Sequence, residues 1–167
     1  TRRAEQANIE AMTDSLTGLF NRRGWEKLIE SEESRCRRYG HPACVFSIDV
    51  DGLEAENDQQ GHAVGDQMLV DVANALLISV REPDIVARIG GDEFAILAVE
   101  CDDDNALMIK TRLQELLMAK SIKVSVGYSI RSAKHTLNDA MQIADEKMYE
   151  EKHDRKDSAN SCKCQLS

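Results

Sequence analysis

Two glycines and two carboxylates, Gly90-Gly91-Asp92-Glu93, separate two short apolar runs at 85–89 and 94–99. That spacing predicts a β-hairpin with the four residues at its tip. Glycine at such a tip lets the backbone approach a ligand closely. Acids at a turn are common, and a solvated tip is their ordinary explanation. A second carboxylate changes the weighing: Asp49 closes the apolar run 43–49 (ACVFSID), and the chain turns from apolar to acidic over Asp49-Val50-Asp51-Gly52. If that strand lies beside the hairpin, Asp49 and Asp92 converge. Converging carboxylates are hard oxygen donors, suited to Mg²⁺ with phosphate oxygens filling its other positions.

The elements that would position these acids follow from periodicity. Asn21 is placed to cap a helix running to about 39, with Trp25, Leu28 and Ile29 on its apolar face and Gly40 and Pro42 as its stop. The run 43–49 reads as a buried strand. Val64, Met68, Val72, Leu76 and Val80 recur every fourth residue, with Leu69, Ala73 and Leu77 beside them, which predicts an amphipathic helix over 64–80. Helical spacing returns over 104–119, and VSVGYSI at 124–130 reads as a strand. Thr136 then caps a helix whose face is Leu137, Ala140, Met141, Ala144 and Met148. This order predicts one α/β domain over 13–157, a sheet with helices packed on it. Residues 1–12 are expected to end a connecting helix from an upstream domain, or to fray, because the chain opens on Thr-Arg-Arg rather than Met. Residues 158–167 are polar and aperiodic and are expected to form a loose tail.

A length of 167 residues suits one domain, and 42% hydrophobic with 31% charged residues excludes disorder over most of it. The balance of 21 Lys+Arg against 30 Asp+Glu, net −9, argues against nucleic-acid binding. A small phosphate ligand stays open, because a bound cation reverses the local field. Cysteines at 36, 44, 101, 162 and 164 are odd in number and form no disulfide framework, so a reducing, cytoplasmic setting is expected. Cys162 and Cys164 lack the partners of a zinc site. No stretch is long and apolar enough to span a bilayer, and direct membrane contact is not expected of this domain, although a full-length protein could be tethered upstream.

The segment Arg88-Ile89-Gly90-Gly91-Asp92-Glu93-Phe94 resembles the signature of the GGDEF family of diguanylate cyclases. Four further blocks occur in the family's order. Asp14-Ser15-Leu16-Thr17-Gly18-Leu19-Phe20-Asn21-Arg22-Arg23 resembles its opening, and Asp49-Val50-Asp51, Asn57-Asp58, Gly61-His62 and Gly65-Asp66 its middle block. Ser125-Val126-Gly127 resembles its late strand, and Ala144-Asp145-Glu146-Lys147-Met148-Tyr149 with Lys152 its last helix. The likeness runs from Asp14 to Lys156. It implies a mostly antiparallel sheet flanked by helices, akin to nucleotidyl cyclase and polymerase palms.

The resemblance also implies a reaction: two GTP condense to cyclic di-GMP and two pyrophosphates in a homodimer, each domain holding one GTP. Asp49, Asp92 and the Val50 carbonyl would hold Mg²⁺ (or Mn²⁺), and Asp92 or Glu93 would take the proton, Asp92 by preference. Asn57 and Asp66 would read guanine, and Leu53, Lys152 and Lys156 would serve substrate binding. Outside the resemblance, Asp66 reads as charge in the first turn of the 64–80 helix, Asn57 as a turn residue, and Lys152 and Lys156 as basic residues at a helix end. Arg81-Glu82-Pro83-Asp84 fits R-x-x-D at the family's distance from the hairpin, implying an inhibitory site for the product. Glu54 stands where the family usually has Lys, and Glu56 where it prefers an apolar residue. Glu54 would repel phosphates, so a weakly catalytic or inactive module that binds GTP or cyclic di-GMP and signals through a partner is the second reading. Cyclase chemistry on ATP is disfavoured by Asp66.

Overall fold

The computed structural model describes residues 1–165, without the side chains of 159 and 162–165, so the Cys162 and Cys164 thiols lie outside the described residues. At its centre β1 (Ala43–Val50) is buried along its whole length. β3 (Glu93–Val99) and β4 (Val124–Ile130) flank it, and β2 (Ile85–Arg88) pairs with the far edge of β3. Every pairing is antiparallel, in the order β2-β3-β1-β4.

Strand alternation sorts the two faces. Cys44, Phe46, Ile48 and Val50 enter the core beneath α4 (His62–Ser79) and α5 (Asp103–Met118). Ala43 and Val45 enter the second core, beneath α2 (Arg22–Tyr39) and α6 (Leu137–Gln165). By the same alternation Ser47 and Asp49 share the α6 face, and this brings α6 over the acid. Burying each of Phe46, Ile48, Leu76 and Phe94 contributes roughly 1.5–3 kcal/mol, against about 0–1 kcal/mol for a surface ion pair. Apolar layers therefore hold the frame on which the charges sit.

Local signals account for most boundaries. Asn21 Oδ1 accepts from the Gly24 N–H at 2.9 Å and starts α2; Gly40, left-handed at φ 72°, ends it. Thr136 and Asp139 cap α6 reciprocally, each backbone N–H donating to the other's side chain. The buried side of α6 is Leu137, Ala140, Ala144 and Met148, as the spacing predicts. Gly127 lets α6 close on β4: a Cβ there would lie 2.2 Å from the Ala144 carbonyl oxygen.

Four expectations need correction. A short helix, α3 (Leu53–Gln60), separates β1 from α4. It carries no apolar stripe to betray it, and Gly52 and Gly61 bound it. α4 starts at His62 and turns Val64 and Leu77 outward, leaving Leu69, Val72, Ala73 and Leu76 as its buried stripe. The segment expected as a loose tail from 158 continues α6 to Gln165, because no Gly or Pro interrupts it. Glu93 opens β3, so the hairpin tip is 89–92. α1 (Arg2–Met12) has no buried residue. No described helix is long and apolar enough to cross a membrane.

Candidate functional site

The β1–β3 register sets Asp49 opposite Glu93, and the Val50 N–H donates to the Asp92 carbonyl at 2.9 Å. Asp49 is only 6% exposed. Its Oδ2 accepts from Lys152 Nζ at 2.5 Å, and its Oδ1 is buried without a partner. Burial pushes the Asp92 carboxyl up and the neighbouring Asp49 charge pushes it further, with Lys152 opposing. Burial, then the charges of Asp49, Asp92 and Asp145, push Glu93 up as well. The hydrogen bond to Asp49 raises Lys152 against the effect of burial. Carboxyls raised in this way hold a proton more readily than free ones.

The tip is braced from outside. Arg88 donates through Nε and Nη2 to the Gly91 carbonyl at 3.1 and 2.8 Å, and through Nη1 to both Asp14 oxygens at 3.3 Å. Asp14 Oδ2 also accepts from the Thr17 N–H and Oγ1 at 2.9 and 2.7 Å. The segment opening with Asp14 therefore holds the acid-bearing turn in place.

A cleft of about 1180 Å³ opens beside Asp92. One wall is the start of α3, where Gly52 supplies no side-chain cap and Leu53 and Glu54 follow; the other is α6, with Lys152, Arg155 and Lys156. A helix start without a cap presents backbone N–H groups to an anion. Glu54 is exposed in this wall and opposes that attraction. Behind it Asn57 Oδ1 is buried without a partner against Gly65, where a Cβ would come within 1.7 Å. Asp66 follows, exposed and beyond the first turn of α4, so charge at the helix start does not explain it.

The Arg81/Asp84 pair is placed differently from a simple ligand fork. The Asp84 side chain is fully buried: Oδ2 accepts from the Arg81 N–H at 2.9 Å and Oδ1 from the Val99 N–H at 3.0 Å. Arg81 donates to the Val99 carbonyl and keeps its side chain more than half exposed, beside a 180 Å³ pocket that Arg112 also lines.

The structure thus brings Asp49, Asp92, Glu93 and Lys152 together, sets Val50, Leu53 and Lys156 around the adjoining cleft, and pairs Asn57 with the Gly65-Asp66 step. Arg81 and Asp84 lie elsewhere, at the start of β2 and the end of β3. Among the described residues no group of three or more His, Cys, Asp or Glu could hold a metal ion. A cation would rest on two carboxylates, a backbone carbonyl and its ligand's own oxygens, and the orphaned Asp49 Oδ1 fits that use. Sequence reasoning missed Arg88 as the brace of the tip, Ser47 donating to Asp145 at 2.5 Å, and Arg155 donating to the Val124 carbonyl at 2.6 Å. Alternation along β1 signals the first face of that network; nothing local signals Arg155.

Comparison with known proteins identifies the family and the fold. The family described as "Diguanylate cyclase, GGDEF domain" matches residues 11–158. The Escherichia coli protein named "Probable diguanylate cyclase DgcJ" is 32% identical over 155 residues, covering 90% of this chain and 31% of that protein. Diguanylate cyclase DosC of the same organism is 32% identical over 155 residues, covering 87% and 34%. The chain spans about a third of the length of these relatives. The crystal structure of the coiled coil and GGDEF domain of DgcB from Caulobacter crescentus, in complex with c-di-GMP, superposes with a TM-score of 0.83 at 26% identity, over 91% of this chain and 86% of that one. Diguanylate cyclase SiaD of Pseudomonas aeruginosa, solved with its activator SiaC, superposes at 0.82 and 29% identity, over 92% and 63%. With the family's match over nearly the whole chain and its acids gathered at one end of the sheet, this chain belongs to the GGDEF family.

Proposed function

We propose that this chain condenses two GTP into cyclic di-GMP and two pyrophosphates, as one half of a homodimer. The observation that carries the reading is the meeting of Asp49 and Asp92 beside a cleft walled by an uncapped helix start and basic side chains. Asp49, Asp92 and the Val50 carbonyl would hold Mg²⁺ or Mn²⁺. When bound, the ion neutralises triphosphate charge and polarises the attacking 3′-hydroxyl. Asp92, with Glu93 beside it, takes the hydroxyl proton, for which its raised affinity suits it. Asp66 accepts from the guanine N1–H and amino group, a donor pair that adenine lacks, with Asn57 fixed alongside by Gly65. Leu53 borders the phosphates, and Lys152 and Lys156 face them from α6. Product binds at Arg81 as an inhibitor, while the buried Asp84 holds the turn that presents it. The dimer is driven by an upstream sensory domain through α1, and the domain works in the cytoplasm.

The test is product formation from GTP and Mg²⁺ by the chain fused ahead of Thr1 to a parallel leucine zipper, beside an Asp92→Ala control. Cyclic di-GMP from the first and none from the control is the expected result. A fused dimer that binds GTP and makes no product would refute turnover. It would favour the second reading, a nucleotide-binding module, for which Glu54 in the cleft wall is the supporting observation.

A further inference from the structure

Five cations line the cleft: Lys123, Lys147, Lys152, Arg155 and Lys156. They are not equally available. Lys152 is held by Asp49 at 2.5 Å, and the Lys147 ammonium lies over the Tyr128 ring at 5.9 Å from its centroid. Across the cleft, Glu54 puts a negative charge at the start of α3, where an incoming phosphate would meet it.

Arg155 is placed to offset that charge. Nη1 donates to the Val124 carbonyl at 2.6 Å and to Asp51 Oδ2 at 3.4 Å, and Nη2 donates to Glu151 Oε1 at 3.1 Å. Asp51 adjoins Gly52, the N-cap of α3, so the guanidinium stands at the foot of that uncapped helix. Asp51 is itself fixed by Ser125 Oγ at 3.1 Å. A guanidinium carries five N–H donors in a rigid fork, of which three are engaged here. The Nε–H and one Nη2–H remain, and the side chain is 42% exposed and lines the cleft. A fork anchored on one edge and open on the other is pre-organised for phosphate oxygens.

We propose that Arg155 is a polyphosphate-binding residue of this cleft, gripping the phosphates beyond the nucleoside monophosphate and offsetting the repulsion of Glu54. The proposal rests on the reading of the cleft as a guanine-nucleotide site. Its consequence is selective: Arg155 contributes to affinity for a triphosphate and not to affinity for GMP.

The test measures binding of GMP and of a non-reacting α,β-methylene analogue of GTP, both with Mg²⁺, by calorimetry. Arg155→Ala should bind the triphosphate about tenfold more weakly, the loss of one charge-assisted contact, and GMP unchanged. Arg155→Lys should recover part of the loss. Glu54→Lys in the Arg155→Ala background should recover most of it, because it replaces a repulsive charge with an attractive one in the same cleft. Equal weakening of both ligands would make Arg155 a structural tie between α6 and the sheet and overturn the proposal, as would no weakening at all. If Arg155→Ala fails to fold, Arg155→Gln, which retains a donor for the Val124 carbonyl, gives the same comparison. Wild-type protein that binds neither ligand would refute the reading of the cleft and the proposal with it. Wild-type binding without selective loss refutes the proposal alone.

Discussion

Gly127→Ala drives a methyl closer to rigid backbone than alanine at any other glycine of this fold, and its cost follows from the geometry. The added Cβ would lie 2.2 Å from the Ala144 carbonyl oxygen, 2.4 Å from the Met148 nitrogen and 2.9 Å from Lys147 Cβ. Ordinary contact begins near 3.4 Å, and the two nearest atoms are helix backbone that cannot rotate away. α6 must therefore retreat by about 1 Å, which forfeits a quarter to a half of the dispersion well for contacts across that gap. Leu137, Ala140, Ala144 and Met148 are the residues that lose it. Overpacking costs about 1–3 kcal/mol in general, and rigid backbone on both sides sets this case at about 3 kcal/mol. For a chain of this size each kcal/mol is worth roughly 2–4 °C, so the melting temperature should fall by about 6–12 °C. Thermal and urea unfolding measure it, with the urea slope unchanged. A fall of less than about 2 °C would mean that α6 does not seat on β4 as described, and the placement of Lys152 one turn beyond Met148 would fall with it.

Three other substitutions probe the site and its supports. Gly65→Ala meets only the end of the Asn57 side chain, which can swing away; it should cost little stability yet weaken guanine-nucleotide binding, and a large fall in melting temperature with unchanged affinity would contradict the role given to Asn57. Burial alone would raise the Asp14 carboxyl, but the Thr17 bonds and the Arg88 charge outweigh it and hold the group below its ordinary value. The stabilisation is therefore present above the unfolded value and lost as pH falls through the lowered folded one, so Asp14→Asn should cost about 1–2 kcal/mol at pH 7 and nothing in strong acid. Urea unfolding at both pH values checks this; an equal gap at each would show that the charge is not its source. Lys152→Met leaves Asp49 without its cation and should cost about 1–3 kcal/mol, discounted for partial exposure, with most of it recovered on adding Asp49→Asn. A double variant no more stable than Lys152→Met would show that the two charges are not coupled.

From pattern alone, outside the family resemblance, the acids are legible and the cations are not, for a physical reason. Asp49 and Asp92 each sit where an apolar run breaks, and a strand's end is a local event that pattern alone reveals. The caps at Asn21 and Thr136 are local in the same way. α3 escaped because an eight-residue polar helix between two glycines has no stripe to read. The end of α6 escapes because its residues are polar and aperiodic, although nothing there breaks a helix. The extra length bears on function. With α6 ending early, Lys152 and Lys156 are basic residues at a helix terminus, explained by its dipole. With α6 running to Gln165 they lie well inside it, where the dipole no longer accounts for them, and both line the cleft. What they face is set by how closely α6 lies against the sheet, and that approach is permitted by Gly127. The electrostatics of the site thus depend on a residue with no side chain, which spacing between charged residues could not expose.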